Sequence, residues 1–265
     1  RAPGGIAFGY SYAVVGHSRR VVYFDDLSKR PGAVRVPGAI VAGHAAMYGK
    51  TADDQFSHYE AGADHFVNLL FTFDAAQRLT GAVVNVPCPS QCSEHETRLS
   101  ADFWHDTRQA IRQRHGDIFI LPQCAAAGDL SPRVLHYLKA QERRFRLKYG
   151  PGGRKDLDER KDIAERISGA FTEALEWARK EIATALPVRH VVKTVHLDKR
   201  RVTPEEAACE RELLDQLNRQ EFLKTGTPQE RLKHDSTLVA RRNRCMRTLA
   251  RFEQQEAEPR FPMEL

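Results

Sequence analysis

The stretch that decides the fold is Val67-Asn68-Leu69-Leu70-Phe71-Thr72-Phe73, followed after a short turn by Leu79-Thr80-Gly81-Ala82-Val83-Val84-Asn85-Val86. Both segments have the length of a strand and are rich in β-branched, aromatic and other apolar residues. The residues between them, 74–78, are enough for a turn. The pattern therefore predicts a β-hairpin, and the elements on either side of it decide what kind of sheet it belongs to.

A helix and another strand follow the hairpin. Ser100 is a suitable N-cap, and side chains at helical spacing predict a helix from Ser100 to Arg114, which Gly116 ends. Residues 117–122 then have the length and composition of a short buried strand. Strand, helix and strand in this order are typical of α/β folds, in which ligand-binding loops follow the carboxyl ends of the strands.

The remainder of the chain divides into a neutral and a charged half. Residues 1–133 carry 13 basic and 13 acidic residues, whereas residues 134–265 carry 28 and 22, so the whole net charge of +6 lies in the second half. We expect an α/β fold: a mixed sheet with flanking helices, followed by a mostly helical, charged region. The predicted boundary separates residues 1–135 from residues 136–265, which are either an insertion or a continuation of the same domain.

Local patterns predict further elements on both sides of this boundary. Short apolar segments predict strand and loop before the hairpin, and Pro and Gly without periodicity predict a long loop ahead of it. Apolar residues at helical spacing, together with caps, predict three long helices after the boundary. The ranges are strand and loop over 1–24, loop over 25–65, helices over 156–185, 203–222 and 228–255, and a strand over 188–197.

Composition narrows the class of protein. Of the 265 residues, 41% are hydrophobic and 29% charged, which permits a packed core and argues against a wholly disordered chain. No apolar run approaches the roughly 18–20 residues of a membrane-spanning helix. Five cysteines, an odd number, argue against a disulfide framework but permit one bridge. The basic residues between Arg241 and Arg251 have acidic neighbours and no aromatic stacking set, so we expect no nucleic-acid partner.

The loop Gly128-Asp129-Leu130-Ser131-Pro132 is the best candidate for a functional site. Small residues let its backbone approach a ligand closely, and Pro132 disfavours helical geometry at Ser131. A serine held rigidly at a strand end could act as a nucleophile or as a hydrogen-bond donor. The alternative, which composition alone favours, is a turn followed by a helix N-cap.

Two other groups of residues are candidates. Cys88 and Cys92, with His95 close by, are of the ligand types that zinc prefers, but no second cysteine pair accompanies them, and small buried thiols are the simpler interpretation. Arg19, followed by Arg20, could hold an anionic group or stabilise a developing oxyanion. The alternative for this pair is an ordinary charged surface.

Four segments together resemble the neutral/alkaline, non-lysosomal ceramidases. The first, Ala127-Gly128-Asp129-Leu130-Ser131-Pro132, resembles that family's Gly-Asp-x-Ser-Pro motif, and the others fall in the family's order over about residues 1–135. These are Gly16-His17-Ser18-Arg19-Arg20, similar to the segment with the active-site arginine; Thr80-Gly81-Ala82-Val83-Val84-Asn85-Val86-Pro87-Cys88-Pro89-Ser90, similar to the strand before a zinc-binding His-Pro; and Leu99-Ser100-Ala101-Asp102-Phe103, similar to the start of the next helix.

The resemblance implies a metal-dependent amidohydrolase that cleaves the amide bond of N-acyl-sphingosine. Ser131 matches the catalytic serine and Arg19 the active-site arginine, while Gly128 and Asp129 belong to the substrate-binding motif. Cys88 stands where the family has a zinc-binding histidine. The other zinc ligands, a histidine, a glutamate and a tyrosine, would lie outside this chain, which on this view is an interior piece and could be inactive alone.

The implied partner is a lipid amide, with peripheral membrane contact and a secreted or cell-surface location as family expectations. Two alternatives remain open. Cys88 could mark a branch that cleaves a different amide or ester, or a non-catalytic binding relative whose metal site has changed.

Overall fold

The computed structural model describes residues 3–31, 33, 43–96 and 98–265. The chain divides into two compact units, residues 1–27 with 43–187 and residues 28–42 with 188–265. The elements of the first unit are strands β1 (Gly4–Tyr12), β2 (His17–Ser18), β3 (Arg20–Tyr23), β4 (Ala45–Met47), β5 (Phe56–Tyr59), β6 (Phe66–Asp74), β7 (Leu79–Val86), β8 (Phe119–Cys124) and β9 (Leu130–Ser131), and helices α1 (Phe103–His115), α2 (Leu138–Tyr149) and α3 (Lys155–Ala178).

A four-stranded sheet in the order β1-β6-β7-β8 forms the centre of the first unit. The predicted hairpin is confirmed, since β6 and β7 pair antiparallel, with Asn68 opposite Asn85 and Phe71 opposite Ala82. Its turn is stabilised by Asp74, whose Oδ1 accepts hydrogen bonds from the backbone N–H groups of Ala76 and Arg78, both at 2.9 Å.

The strand–helix–strand prediction is also confirmed. Helix α1 connects β7 to β8, and these strands pair in parallel, so the sheet is mixed and the predicted fold class holds. The helix begins later than expected, because Asp102 rather than Ser100 is the N-cap and accepts from the backbone N–H of Phe103. Asp102 also accepts from the backbone N–H groups of Cys92 and Ser93, which fastens the turn after β7 to the start of the helix.

Helix α3 covers one face of the sheet. Its side chains meet the inward positions of β1 and β6, where the rings of Phe71 and Phe171 pack edge to face at 5.1 Å with both residues fully buried. Gly9 permits the close approach, because a Cβ there would lie 3.2 Å from that of Ala178. Helix α1 packs beside α3. Residues 136–187 therefore share a compact unit with the sheet, and the boundary predicted at residue 135 stays a prediction.

The prediction of a long loop region over 25–65 is wrong over its second part, and residues 32 and 34–42 of that range lie outside the described residues. Strands β4 and β5 pair with the two sides of β3. These strands have only three and four residues, too few to show an alternation of apolar and polar side chains. Pairing with β3, which is distant in sequence, stabilises them. Helix α2 was not predicted either, and helix α3 ends at Ala178 rather than Ala185.

The second unit combines two helices with a two-stranded sheet. Helix α4 (Pro204–Asn218) packs against helix α5 (Pro228–Gln254) around Leu217, Leu238 and Cys245, and strand β10 (Thr194–Asp198) pairs antiparallel with β11 (Arg260–Glu264). The predicted cap is confirmed, since the Thr203 hydroxyl accepts from the Glu206 N–H at 3.1 Å.

Among the described residues, no helix combines the length and the apolar character that crossing a bilayer requires.

The sheet–helix core predicts the effect of a truncation. Phe171→Ala should lower the free energy of unfolding by about 3–5 kcal/mol, because it leaves a cavity against Phe71. Urea denaturation followed by circular dichroism measures this, with Phe24→Ala as the control, since Phe24 is 70% exposed in the same unit. A loss at Phe171 no larger than that at Phe24 would contradict the described packing.

Candidate functional site

The predicted serine lies in a two-residue ladder that joins two distant parts of the chain. Strand β9 pairs antiparallel with β2, which places Ser131 opposite His17 and Leu130 opposite Ser18. Directly opposed side chains of an antiparallel pair lie on the same face, with Cβ atoms about 5 Å apart. Ser131 is fully buried, and its Oγ accepts a hydrogen bond from the Arg133 N–H at 3.2 Å.

Arg19 holds the loop that precedes Ser131. Its Nη2 donates to the Gly128 carbonyl at 2.6 Å, and its backbone N–H donates to the Asp129 carbonyl at 3.0 Å. The guanidinium carbon lies 6.0 Å from the centre of the Tyr48 ring, within range of a cation–π interaction. Arg19, Gly128 and Asp129, three of the residues predicted from the sequence, thus lie together, and Arg19 fixes the backbone of the other two.

Cys88 lies close behind the same ladder. A Cβ at Gly16 would come within 3.6 Å of the Cys88 Cβ and 2.5 Å of the Pro87 carbonyl oxygen, so only glycine fits at position 16. The Cys88 thiol is fully buried and donates to the Val15 carbonyl at 3.3 Å. Burial, with Cys124, Glu159 and Asp102 nearby, raises the pKa of Cys88 far above its usual range.

The surroundings of Cys88 do not fit a zinc ion. Zinc binds the thiolate, whereas the hydrogen bond to Val15 and the raised pKa both favour the protonated thiol. A separate group of ligand types, His95, Glu96 and Asp156, lies together at the start of α3. The guanidinium of Arg154 already makes ion pairs with Glu96 and Asp156 and supplies the positive charge that this group would attract.

Two cavities lie between the segment after Ser131 and helix α3. The smaller, about 250 Å³, is lined by His17, Pro132 and residues of α2 and α3. The larger, about 520 Å³, is lined by Tyr48, Cys92, His95, Arg133, Leu135 and Lys155 among others. Val134, Gln141 and Glu159 line both. Ser131, Arg19, Gly128, Asp129 and Cys88 are not among the described residues that line either cavity.

Sequence reasoning missed His17 and Glu159. Burial, with His65 and Arg166 nearby, lowers the pKa of His17 to about 4, so its imidazole is neutral at pH 7. The Glu159 side chain is 5% exposed, and its Oε1 has no hydrogen-bond partner among the described residues. Burial raises the pKa of Glu159 to about 7, although Lys155 and Arg133 lower it.

Asp162, one turn further along α3, shows that partners decide the charge of a buried carboxyl group. Although burial raises its pKa, hydrogen bonds from Arg144 and Lys148 and the charge of Arg166 lower the pKa of Asp162 to about 2. Glu159 lacks such partners. One helix therefore brings an ionised carboxylate and a readily protonated carboxyl group to the same cleft.

Of the comparisons of this chain with known proteins, only the one with solved structures found similar proteins. No family model matches the chain, and neither does any curated protein. One similar structure is a ceramidase complexed with C2, at 16% identity and a TM-score of 0.41, over 74% of this chain. Another is the neutral ceramidase from Pseudomonas aeruginosa, at 16% identity and a TM-score of 0.43, over 88% of this chain. Both are ceramidases.

The chain spans 25% and 34% of the length of those two proteins.

The unpartnered carboxyl group of Glu159 predicts a pH-dependent stability. A carboxyl group whose pKa is about 7 in the folded chain and 4.5 when it is fully solvated binds its proton more tightly in the folded chain. Ionised Glu159 therefore destabilises the fold by about 3 kcal/mol above pH 7, and this cost disappears as the pH falls from 7 towards 4.5. The groups facing it are Lys155, Arg133, Asp102 and Asp156.

Glu159→Gln should therefore raise the free energy of unfolding at pH 8 and change it little at pH 5. Urea titrations at the two pH values measure the difference, with Glu165→Gln as the control, because Glu165 is exposed on the same helix. An equal effect of Glu159→Gln at both pH values would contradict the described burial.

Proposed function

We propose that this chain is a core portion of a ceramidase-like amide hydrolase, with an N-acyl lipid as its substrate and Ser131 at the reacting centre. The observation that carries the proposal is the β2·β9 ladder with Arg19. Two segments 109 residues apart in sequence, which the family resemblance assigns to one site, meet through the hydrogen bonds from Arg19 to Gly128 and Asp129. Ser131 and the neutral imidazole of His17 face the same side of this ladder.

The reaction assigns a different task to each of these residues. The Ser131 Oγ attacks the amide carbonyl carbon while a base takes the hydroxyl proton and passes it to the leaving amine, after which water releases the fatty acid from the serine ester. His17, directly opposite Ser131 in the ladder, is the residue that the proposal assigns as this base. Arg19 is a positioning residue, because its Nη2 donates to the Gly128 carbonyl and its backbone N–H to the Asp129 carbonyl. Ser131 is fully buried, and Pro132 beside it lines the smaller cavity, so the proposal requires that substrate approach Ser131 from this cavity.

The family resemblance also implies a zinc ion and assigns a metal position to Cys88, and that assignment stays a prediction. The buried thiol at this position favours its protonated form, which speaks against it as a zinc ligand. The same observation supports the alternatives: a hydrolase of a different amide or ester, or a binding relative that has lost catalysis with its metal site.

Replacing the serine tests the proposal. Ser131→Ala should reduce the release of fatty acid from N-acyl-sphingosine by about a thousandfold or more, because it removes the nucleophile. Ser18→Ala is the matched control, since Ser18 is also buried on the paired strand and its hydroxyl bonds only weakly, to the Arg20 carbonyl at 3.4 Å.

The assay includes a short acyl amide and an acyl ester beside the lipid amide. Turnover of only the short acyl amide or only the acyl ester would change the proposed substrate class but leave Ser131 as the proposed nucleophile. Activity that survives in Ser131→Ala, or no turnover of any of the three substrates by the complete protein of which this chain is proposed to be a portion, would overturn the proposed function.

A further inference from the structure

The central sheet has a second face, opposite the one that α3 packs against, whose outward side chains are largely exposed in the described part of the chain; at its edge the Trp177 ring of α3 lies 5.8 Å from that of Tyr10. Whereas α3 buries the inward positions, the outward positions include Phe8, Tyr10 and Tyr12 on β1, Phe66 on β6, and Phe119 and Leu121 on β8. Their exposed fractions run from 40% at Phe66 to 67% at Phe119. We call this surface the outer face. Apolar surfaces of this extent on a folded chain mark a contact with another surface.

The four central rows of the outer face hold no charge in a chain rich in charged residues, and Asp74 stands beyond them at the end of β6. The strand register aligns four outward rows, which run from Ile6 to Phe119, from Phe8 to Leu121, from Tyr10 to Gln123 and from Tyr12 to Phe66. Every position in these rows is apolar, aromatic, glycine, or a neutral Thr, Asn or Gln. Such a face meets no like-charge repulsion when it is placed against a copy of itself.

Aromatic contacts hold one corner of the outer face in a defined shape. The Phe66 ring lies 4.8 Å from that of Tyr12 and 5.5 Å from that of Tyr10, and the two tyrosine rings lie 6.0 Å apart. Rings packed against one another in this way lose little conformational freedom when a partner covers them, which favours association.

The size of the outer face matches that of a stable interface. Its five exposed aromatic side chains present about 550 Å² of apolar surface, taking about 200 Å² for a whole ring side chain. Leu121 and the half-buried Ile6, Leu70 and Val83 extend this area. A standard interface buries about 800 Å² of accessible surface on each partner. A second sheet of the same size, packed on the outer face, would bury an area of this order.

We propose that the outer face packs against the outer face of a second copy of this chain. Two sheets that meet face to face interdigitate their side chains about 10 Å apart, and a two-fold axis lets one self-complementary surface serve both partners. Helices then flank a double sheet on both sides, and the aromatic residues of the two copies form a second core. The interface is separate from the cleft beside Glu159 and does not depend on the proposed catalysis.

Sedimentation velocity of the full 265-residue chain over a concentration series tests this inference. The unmodified chain should sediment as a dimer, and Phe8→Glu should weaken dimerisation by at least about tenfold, because it places a charge within the interface. Phe24→Glu is the matched control: Phe24 is 70% exposed, against 61% for Phe8, but lies outside the sheet. It should leave the dimer intact.

Circular dichroism verifies that each variant is folded, and Leu121→Lys, at the opposite edge of the outer face, replaces Phe8→Glu if that variant unfolds. A chain that stays monomeric to about 100 µM, including one that instead binds phosphatidylcholine vesicles, overturns the inference. The inference is also overturned if the chain dimerises and neither Phe8→Glu nor Leu121→Lys weakens the dimer more than Phe24→Glu does.

Discussion

The pairing of His17-Ser18 with Leu130-Ser131 is the constraint on which the candidate site depends. A ladder of two residues per strand is too short to be stable by itself. Its stability comes from its surroundings: Leu130 is buried, Gly16 allows the backbone to pass close to Pro87, and Arg19 ties down the adjacent loop. Since these contacts join segments far apart in sequence, the site exists only in the folded unit.

Helix α3 links the stability of the fold to the chemistry of the cleft. Its apolar side chains, Phe171 foremost, cover the inner face of the sheet, and its first turns carry Glu159 and Asp162 to the cavity walls. Three cationic partners stabilise the ionised form of Asp162 through hydrogen bonds, whereas the Oε1 of Glu159 has no hydrogen-bond partner among the described residues and only the charges of Lys155 and Arg133 favour the ionised form of this carboxyl group. A buried carboxyl group without a partner costs stability, and proteins often retain such groups where a ligand or a reaction uses them.

Sequence reasoning predicted the elements whose signal is local. The hairpin around residues 74–78 and the helix after Asp102 follow from strand composition, turn residues and caps within about fifteen residues. It missed β4 and β5, whose pairing with β3 is non-local. It also could not show that His17 faces Ser131, because register between distant strands is decided by tertiary packing. Glu159 did have a signal: it stands four residues before Ile163 and eight before Ile167, so helical spacing places it on the apolar stripe of α3.

The approach of the two distant segments can be measured directly, without any assumption about substrate or metal. Ser18 and Leu130 face each other in the ladder, and in such an antiparallel pair the Cα atoms are about 4.5–5.5 Å apart. An NMR experiment on selectively labelled chain should show a nuclear Overhauser effect between the Hα protons of Ser18 and Leu130. If that contact is absent while the cross-strand contacts of the β6–β7 hairpin are present, the sheet is folded but the site described here is not formed.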